Sequence, residues 1–486
     1  VEKRNEASSE SGCGYSRREF LKLTGIAGAA VGTGAGLGGL LAACGGASTT
    51  TTEATTATTA ASTTSSSQAA TTTSVSAGAQ QGRELKLGFV SPLTGDLATF
   101  GTADQYCMNR WQEVVANGWV CGDGQNHPIT FILKDSQSDS NRAGQVAGDL
   151  IHNDNVDVML AASTPDTVNP VADQAEANGV PMFSNDAPWE AYFYDRGGKD
   201  DVGFKWTYHS FWGLEDVIAV DTAMWNRIQT NKIVAALWPN DADGNAFADE
   251  TSGFPSALPG LGFTIVDPGR FQNGMEDFTA QIAAFKKGGC EILSTVMIPP
   301  DFTNFWKQAL QQGFHPKIAS VSKATDTPPD VEALGAAGNH FTLETQWTPR
   351  MPFKSSLTGE TCQQIAADFE AKAKIQWAQY LLHYQVFEVV ADALKRTKSV
   401  DDKEAVVAAI ASTKLDTIAG PLDFTTPVKM GTKHPVKNVY RSPLVSGQWV
   451  TDTPVNEPNY KYELAVVDNS NYPDIKVDTE MVPLAY

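Results

Sequence analysis

The residues able to do chemistry in this chain cluster just after short apolar runs. Ala161-Ala162-Ser163-Thr164-Pro165-Asp166-Thr167 follows a run ending at Leu160 and opens a helical stretch. Hydroxyls and backbone N–H groups at a helix start form a cradle for a carboxylate or another acceptor-rich group, and the same residue types also serve as plain N-caps. Ser184-Asn185-Asp186-Ala187-Pro188-Trp189 stands in the same relation to a run ending at Phe183. Pro239-Asn240-Asp241-Ala242-Asp243-Gly244-Asn245 invites a calcium loop. Counted from Asp241, however, Ala246 falls where an EF-hand needs Gly, and Ser252 falls where it needs a bidentate Glu. Asp243 therefore reads as a cleft or turn residue. Tryptophans at 189, 206, 212, 225 and 238 are dense enough to grip a planar or apolar group; Trp225 and Trp238 read more simply as core. Downstream of residue 44 there is no G-x-S-x-G, H-E-x-x-H or Walker loop. Gly34-Ala35-Gly36-Leu37-Gly38-Gly39 satisfies G-x-G-x-x-G, but no strand precedes it, as a phosphate-cradling loop requires. No enzyme, cofactor or metal is expected.

These positions need a scaffold, and the hydrophobic pattern supplies one. Apolar runs at Leu85–Val90, Ile129–Leu133, Val156–Leu160 and Val180–Phe183 alternate with helical stretches, which predicts parallel strands with right-handed crossovers and helices on both faces. A second set begins after Trp206, with strands expected at 232–238, 263–266, 291–296 and 317–321. Long helices follow at 363–374, 377–397 and 403–411, then strands at 438–444 and 461–467. With 486 residues, 42% of them hydrophobic, there is ample material for two α/β lobes. The formal charge of −20, from 36 Lys plus Arg against 56 Asp plus Glu, opposes binding to nucleic acid or anionic lipid.

The N-terminal segment speaks to compartment. Ser16-Arg17-Arg18-Glu19-Phe20-Leu21-Lys22, the glycine-broken apolar run after it and Leu41-Ala42-Ala43-Cys44 resemble a twin-arginine export signal joined to a lipoprotein cleavage box. Residues 1–43 are read as signal peptide, and Cys44 as the site of a two-chain lipid anchor and the sole membrane contact. Residues 44–82, almost entirely Ala, Ser and Thr as far as Ala77, read as a flexible tether with a span on the order of 35 Å. Cys107, Cys121, Cys290 and Cys362 form no C-x-x-C pair, and a Cys107 to Cys121 bridge lies at the limit of reach.

Leu87-Gly88-Phe89-Val90-Ser91-Pro92-Leu93-Thr94-Gly95, Ala147-Gly148-Asp149-Leu150-Ile151 through Asp157-Val158-Met159, and Gly179-Val180-Pro181-Met182-Phe183-Ser184 resemble strings in the substrate-binding proteins of branched-chain amino acid-type ABC transporters. Asp277-Phe278-Thr279-Ala280-Gln281-Ile282 and Ile418-Ala419-Gly420-Pro421-Leu422-Asp423-Phe424 extend the likeness, which covers residues 85 to about 445. The resemblance implies a type I periplasmic binding protein: two doubly wound parallel-sheet lobes joined by three hinge crossovers near 205–208, 340–346 and 418–420. Lobe one would be 83–206 plus 343–418, and lobe two 207–342 plus 419–486. A small-molecule ligand would lie between them, delivered by a monomeric receptor to an ABC permease; a sensing module reporting to a separate signalling chain is the alternative. By the same resemblance, Ser163, Thr164, Asp186, Ala187, Trp189 and an aromatic Phe100 are expected at the ligand, with Tyr208, His209 and Trp212 after the first crossover and Asp243 and Pro299 in lobe two. Branched-chain amino acid receptors commonly place a carboxylate near the string Ser320-Val321-Ser322-Lys323-Ala324-Thr325, where this chain offers Lys323. That departure predicts an acid or neutral polar ligand with a planar part, rather than a simple branched-chain amino acid.

Overall fold

The computed structural model describes residues 79–426, 435–451 and 460–486. The signal, Cys44 and the tether up to residue 78 lie outside the described residues. The end of the expected tether is structured: Gln80–Gln81 pairs in parallel with Gln125–His127, which also pairs with Trp119–Val120.

Two sheets form the body. The first has six strands in the order Val439–Tyr440, Thr207–Ser210, Met182–Asn185, Val158–Ala161, Leu85–Ser91 and Ile129–Asp135, all parallel. Its central strands Leu85–Ser91 and Val158–Ala161 read as near-continuous apolar runs because helices cover both faces. Trp111, Phe131 and Phe387 pack edge to face on one side. Helices Ser140–His152 and Thr164–Asn178 pack against each other on the opposite side.

The second sheet has seven strands in the order Thr264–Val266, Ile233–Leu237, Ile292–Thr295, Ile318–Val321, Thr342–Thr345, Val445–Val450 and Glu463–Asp468. Its first five are parallel, and the last two join antiparallel. Trp225, Trp238, Phe247 and Phe254 form one aromatic cluster; Phe302, Trp306 and Phe341 pack elsewhere in this lobe.

The pairing moves the expected lobe borders. Thr207–Ser210 belongs to the first sheet, so the first crossover is Phe211–Gly213 rather than 205–208. Thr342–Thr345 belongs to the second, so that crossover begins at Gln346. The third is displaced most. After the hairpin Lys414–Thr417 and Gly420–Asp423, the chain returns to add Val439–Tyr440 to the edge of the first sheet. The expectation that lobe two takes everything from 419 onward therefore fails at Val439–Tyr440, while Val445–Val450 and Glu463–Asp468 do belong to the second sheet. Asn438 fixes the return by donating its amide to the carbonyls of Phe204 and Thr207. The single helix expected at 377–397 begins as a 3-10 turn, Gln379–His383, before helix Tyr384–Arg396. Cys107, Cys121, Cys290 and Cys362 are buried free thiols.

Candidate functional site

Strand ends of both sheets converge on a cavity of about 40 Å³, the position at which open α/β sheets bind ligands. Phe100, Thr164 and Asp186 line it from the first lobe, Asp243 and Lys323 from the second, and Trp212 from the first crossover. Four of the non-glycine residues at these strand ends are held at positive φ: Ser163 at 76°, Thr164 at 61°, Asp186 at 61° and Lys323 at 67°. For a β-branched threonine this is a costly conformation, on the order of 1–3 kcal/mol. It is held in place by the Thr164 N–H, which donates to the Asp186 carbonyl at 2.7 Å.

Six expected contacts lie elsewhere. Ser163 is fully buried beside Thr164, and its hydroxyl has no partner. Ala187 is core, and its carbonyl accepts from His209 Nε2. His209 is a structural histidine. Its ring stacks on Tyr192 at 4.2 Å and bonds Ser184, and burial pushes its pKa down to about 3. Tyr208 packs on Phe424. Pro299 opens helix Pro299–Gln311, while Val296 before it reaches the cavity. Trp189 faces a neighbouring chamber instead. Asp241 caps helix Ala242–Phe247 through the Gly244 N–H, and no metal-binding cluster exists among the described residues.

Lys323 departs most from expectation. It is only 5% exposed, and its ammonium lies 2.7 Å from Asp243 and 3.8 Å from Asp241. Burial works to discharge it, but Asp243 and then Asp241 outweigh that and hold it protonated. Its charge is therefore already neutralised by the protein, and it cannot by itself select an acid.

The residues that sequence reasoning missed make the site acidic. Asp326 and Glu344 also line the cavity. Burial raises the Asp326 carboxyl to about 7, with a bond from Tyr380 opposing, and raises Glu344 well above the usual range. Ser322 donates to Glu344 at 2.5 Å. Behind Asp186, His383 bridges two carboxylates, Asp104 at 2.6 Å and Asp186 at 2.8 Å. Burial would strip its proton, yet Asp104 and then Asp186 keep its pKa at about 9.

Two bonds tie the halves of the site together. The Tyr380 hydroxyl, from the first lobe, donates to Asp326 of the second at 2.8 Å. Between crossovers, Trp212 Nε1 donates to Gln346 Oε1 at 2.8 Å.

Comparison with known proteins agrees with this architecture. Leu/Ile/Val-binding protein homolog 3 of Brucella melitensis biotype 1 is 22% identical over 346 residues, covering 70% of this chain and 87% of its own. The branched-chain amino acid transporter substrate binding protein of Streptococcus pneumoniae, solved with isoleucine, has a TM-score of 0.60 at 15% identity, over 82% of this chain and 100% of its own. A solute binding protein of an ABC transporter from Rhodopseudomonas palustris, solved with 3,4-dihydroxybenzoic acid, has a TM-score of 0.60 at 18% identity, over 78% and 95%. These likenesses establish the fold. A family profile described as periplasmic binding protein matches residues 84–445, most of the sequence, and the chain belongs to that family.

Proposed function

We propose that the chain is the extracytoplasmic solute receptor of an ABC importer, a non-enzymatic protein that catches a small molecule as its two lobes close. One observation supports this above the rest. Thr164 Oγ1 of the first lobe and Asp326 Oδ1 of the second are buried, have no partner, and belong to residues lining one cavity. A buried polar group left unpaired costs about 1–3 kcal/mol, so a molecule that bridges them favours the closed form.

The preference for an acid rested on a free Lys323, and with that lysine paired to Asp243 the support passes to the acidic side. The ligand class that fits is a small compound with N–H donors for Asp326 and Glu344, an acceptor oxygen for Thr164, and an apolar or planar part against Phe100 and Trp212. The isoleucine of one relative has an ammonium and a carboxylate, and the 3,4-dihydroxybenzoic acid of another has a carboxylate and two phenolic hydroxyls but no ammonium. Calorimetry over amino acids, amides and aromatic acids, repeated with Asp326→Asn, separates the two. Loss on the order of a hundredfold for an amine-bearing ligand is expected, because removing one partner of a buried charge pair costs about 2–5 kcal/mol. Tight binding of an aromatic acid that Asp326→Asn leaves unchanged overturns this reading.

The sequence also supports tethering at Cys44 after twin-arginine export. Cys44→Ala should release the folded body from the membrane fraction; unchanged attachment rejects the anchor.

A further inference from the structure

Beside the ligand cavity lies a larger chamber of about 880 Å³. Its walls are helix Trp189–Tyr194 of the first lobe, the start of helix Leu214–Trp225 just past the first crossover, and helix Ala242–Phe247 with the turn after it in the second lobe. The two spaces share a partition: Pro188, Asp243 and Phe247 line the ligand cavity, while their chain neighbours Trp189, Ala242 and Ala246 line the chamber.

The chamber is one-sided in charge. Glu190, Asp195, Glu215 and Asp249 line it, and no Lys, Arg or His does. Arg441 stands against Glu215 at 3.5 Å, but its guanidinium is held by Asp216. Glu190 is 9% exposed; its Oε1 accepts the Leu214 N–H at 2.9 Å, and its Oε2 has no partner. Burial and then the neighbouring Glu215 push its carboxyl well above the usual range, so Glu190 holds a proton near neutrality.

An independent group points to an occupant. Trp189 is 1% exposed, yet its indole N–H has no partner. Over Gly213 that N–H and the Glu215 carboxylate come close together, 2.0 Å and 2.7 Å from where a Cβ would stand, so the indole fills the space that the missing side chain leaves. A buried indole N–H without a partner, beside a protonated Glu190 and a partly exposed Glu215, suits a ligand with complementary groups.

We propose that this chamber is a second ligand site for a small primary ammonium compound with an oxygen beside the nitrogen, such as an amino alcohol. Its ammonium replaces the proton between Glu190 and Glu215, and its oxygen accepts from Trp189 Nε1. Because both lobes wall the chamber, its occupant favours the same closed form as the ligand of the main cavity.

Calorimetry of the full chain with ethanolammonium chloride near neutral pH, in two buffers of different ionisation enthalpy, tests this. Saturable binding with net proton release is expected. The double variant Glu190→Gln with Glu215→Gln should weaken binding by about tenfold or more and abolish proton release. Asp326→Asn, in the main cavity, should leave ethanolammonium binding intact. If the double variant fails to fold, Trp189→Phe serves: it should erase any preference for ethanolammonium over propylammonium. Three results overturn the proposal. They are no saturable binding at millimolar concentration, equal binding of tetramethylammonium, which has no N–H, and loss in Asp326→Asn but not in the double variant. The last would place the amine in the main cavity and support the reading of that site while rejecting this one.

Discussion

Tyr380→Phe removes one hydroxyl from the join between the lobes. In the closed form Tyr380 is fully buried and Asp326 is 7% exposed. Asp326 Oδ1 already lacks a partner, so losing the Tyr380 bond takes the one side-chain partner from Oδ2 as well. In an open form water serves the same groups, so the loss falls on the closed form alone. A hydrogen bond to a charged group contributes about 1.5–3 kcal/mol. With Asp326 raised to about 7 it is only partly ionised at neutrality, which points to the lower end. About 1.5–2 kcal/mol shifts the opening equilibrium by about tenfold to thirtyfold. Solution scattering and calorimetry read complementary halves of that shift. If the unliganded protein is mostly closed, Tyr380→Phe enlarges its radius of gyration as far as it empties the closed form, and affinity falls by that same fraction. If it is mostly open, the radius stays and affinity falls by the full factor. An unchanged radius together with an unchanged affinity refutes the reasoning.

His383→Gln leaves Asp104 and Asp186 facing each other without a cation. Breaking a buried ion pair costs about 3–5 kcal/mol, and since an amide retains one bond we expect the lower end, read as a lowered urea midpoint. Stability should fall between pH 5 and pH 9. His383, raised to about 9, contributes fully below its unfolded value near 6.5 and loses that contribution as pH rises through 9. Asp221 and Asp326, raised to about 7 chiefly by burial, hold protons that the unfolded chain has released, so folding weakens from about pH 4 to 7 as well. The carboxyls lowered to about 2, Asp249 and Asp423, change only below this window. Urea titrations at pH 5, 7 and 9 that show flat or rising stability contradict the assignment.

The alternation of strands and helices was legible because central parallel strands are continuous apolar runs, as at Leu85–Ser91 and Val158–Ala161. Thr207–Ser210 was not, since Thr-Tyr-His-Ser looks polar; its histidine is made apolar in effect by stacking on Tyr192 and by local bonds. The two-residue strand Val439–Tyr440 carries no periodicity at all. In the cavity, residues just past a strand were accessible to the strand-end rule, including Thr164, Asp186, Trp212, Asp243 and Lys323. That rule says nothing of partners: the Lys323–Asp243 pair joins positions eighty residues apart, and Asp326 stands three places beyond Lys323 with no mark to single it out. His383 arrives from a 3-10 turn with no motif around it, and only the fold brings it between two aspartates.

The late return of the chain to the first sheet also governs its synthesis. His209 waits for Val439, some 230 residues later, which at ribosomal rates is roughly 10–50 s. Thr342–Thr345 likewise waits for Val445–Val450. Until the last stretch emerges, both nascent sheets therefore display an unpaired edge, the feature most prone to wrong pairing between chains. The two lobes cannot mature one after the other on the ribosome. They are completed almost together, once residues 439–468 have emerged, and a chaperone that shields strand edges has its longest task at Thr207–Ser210.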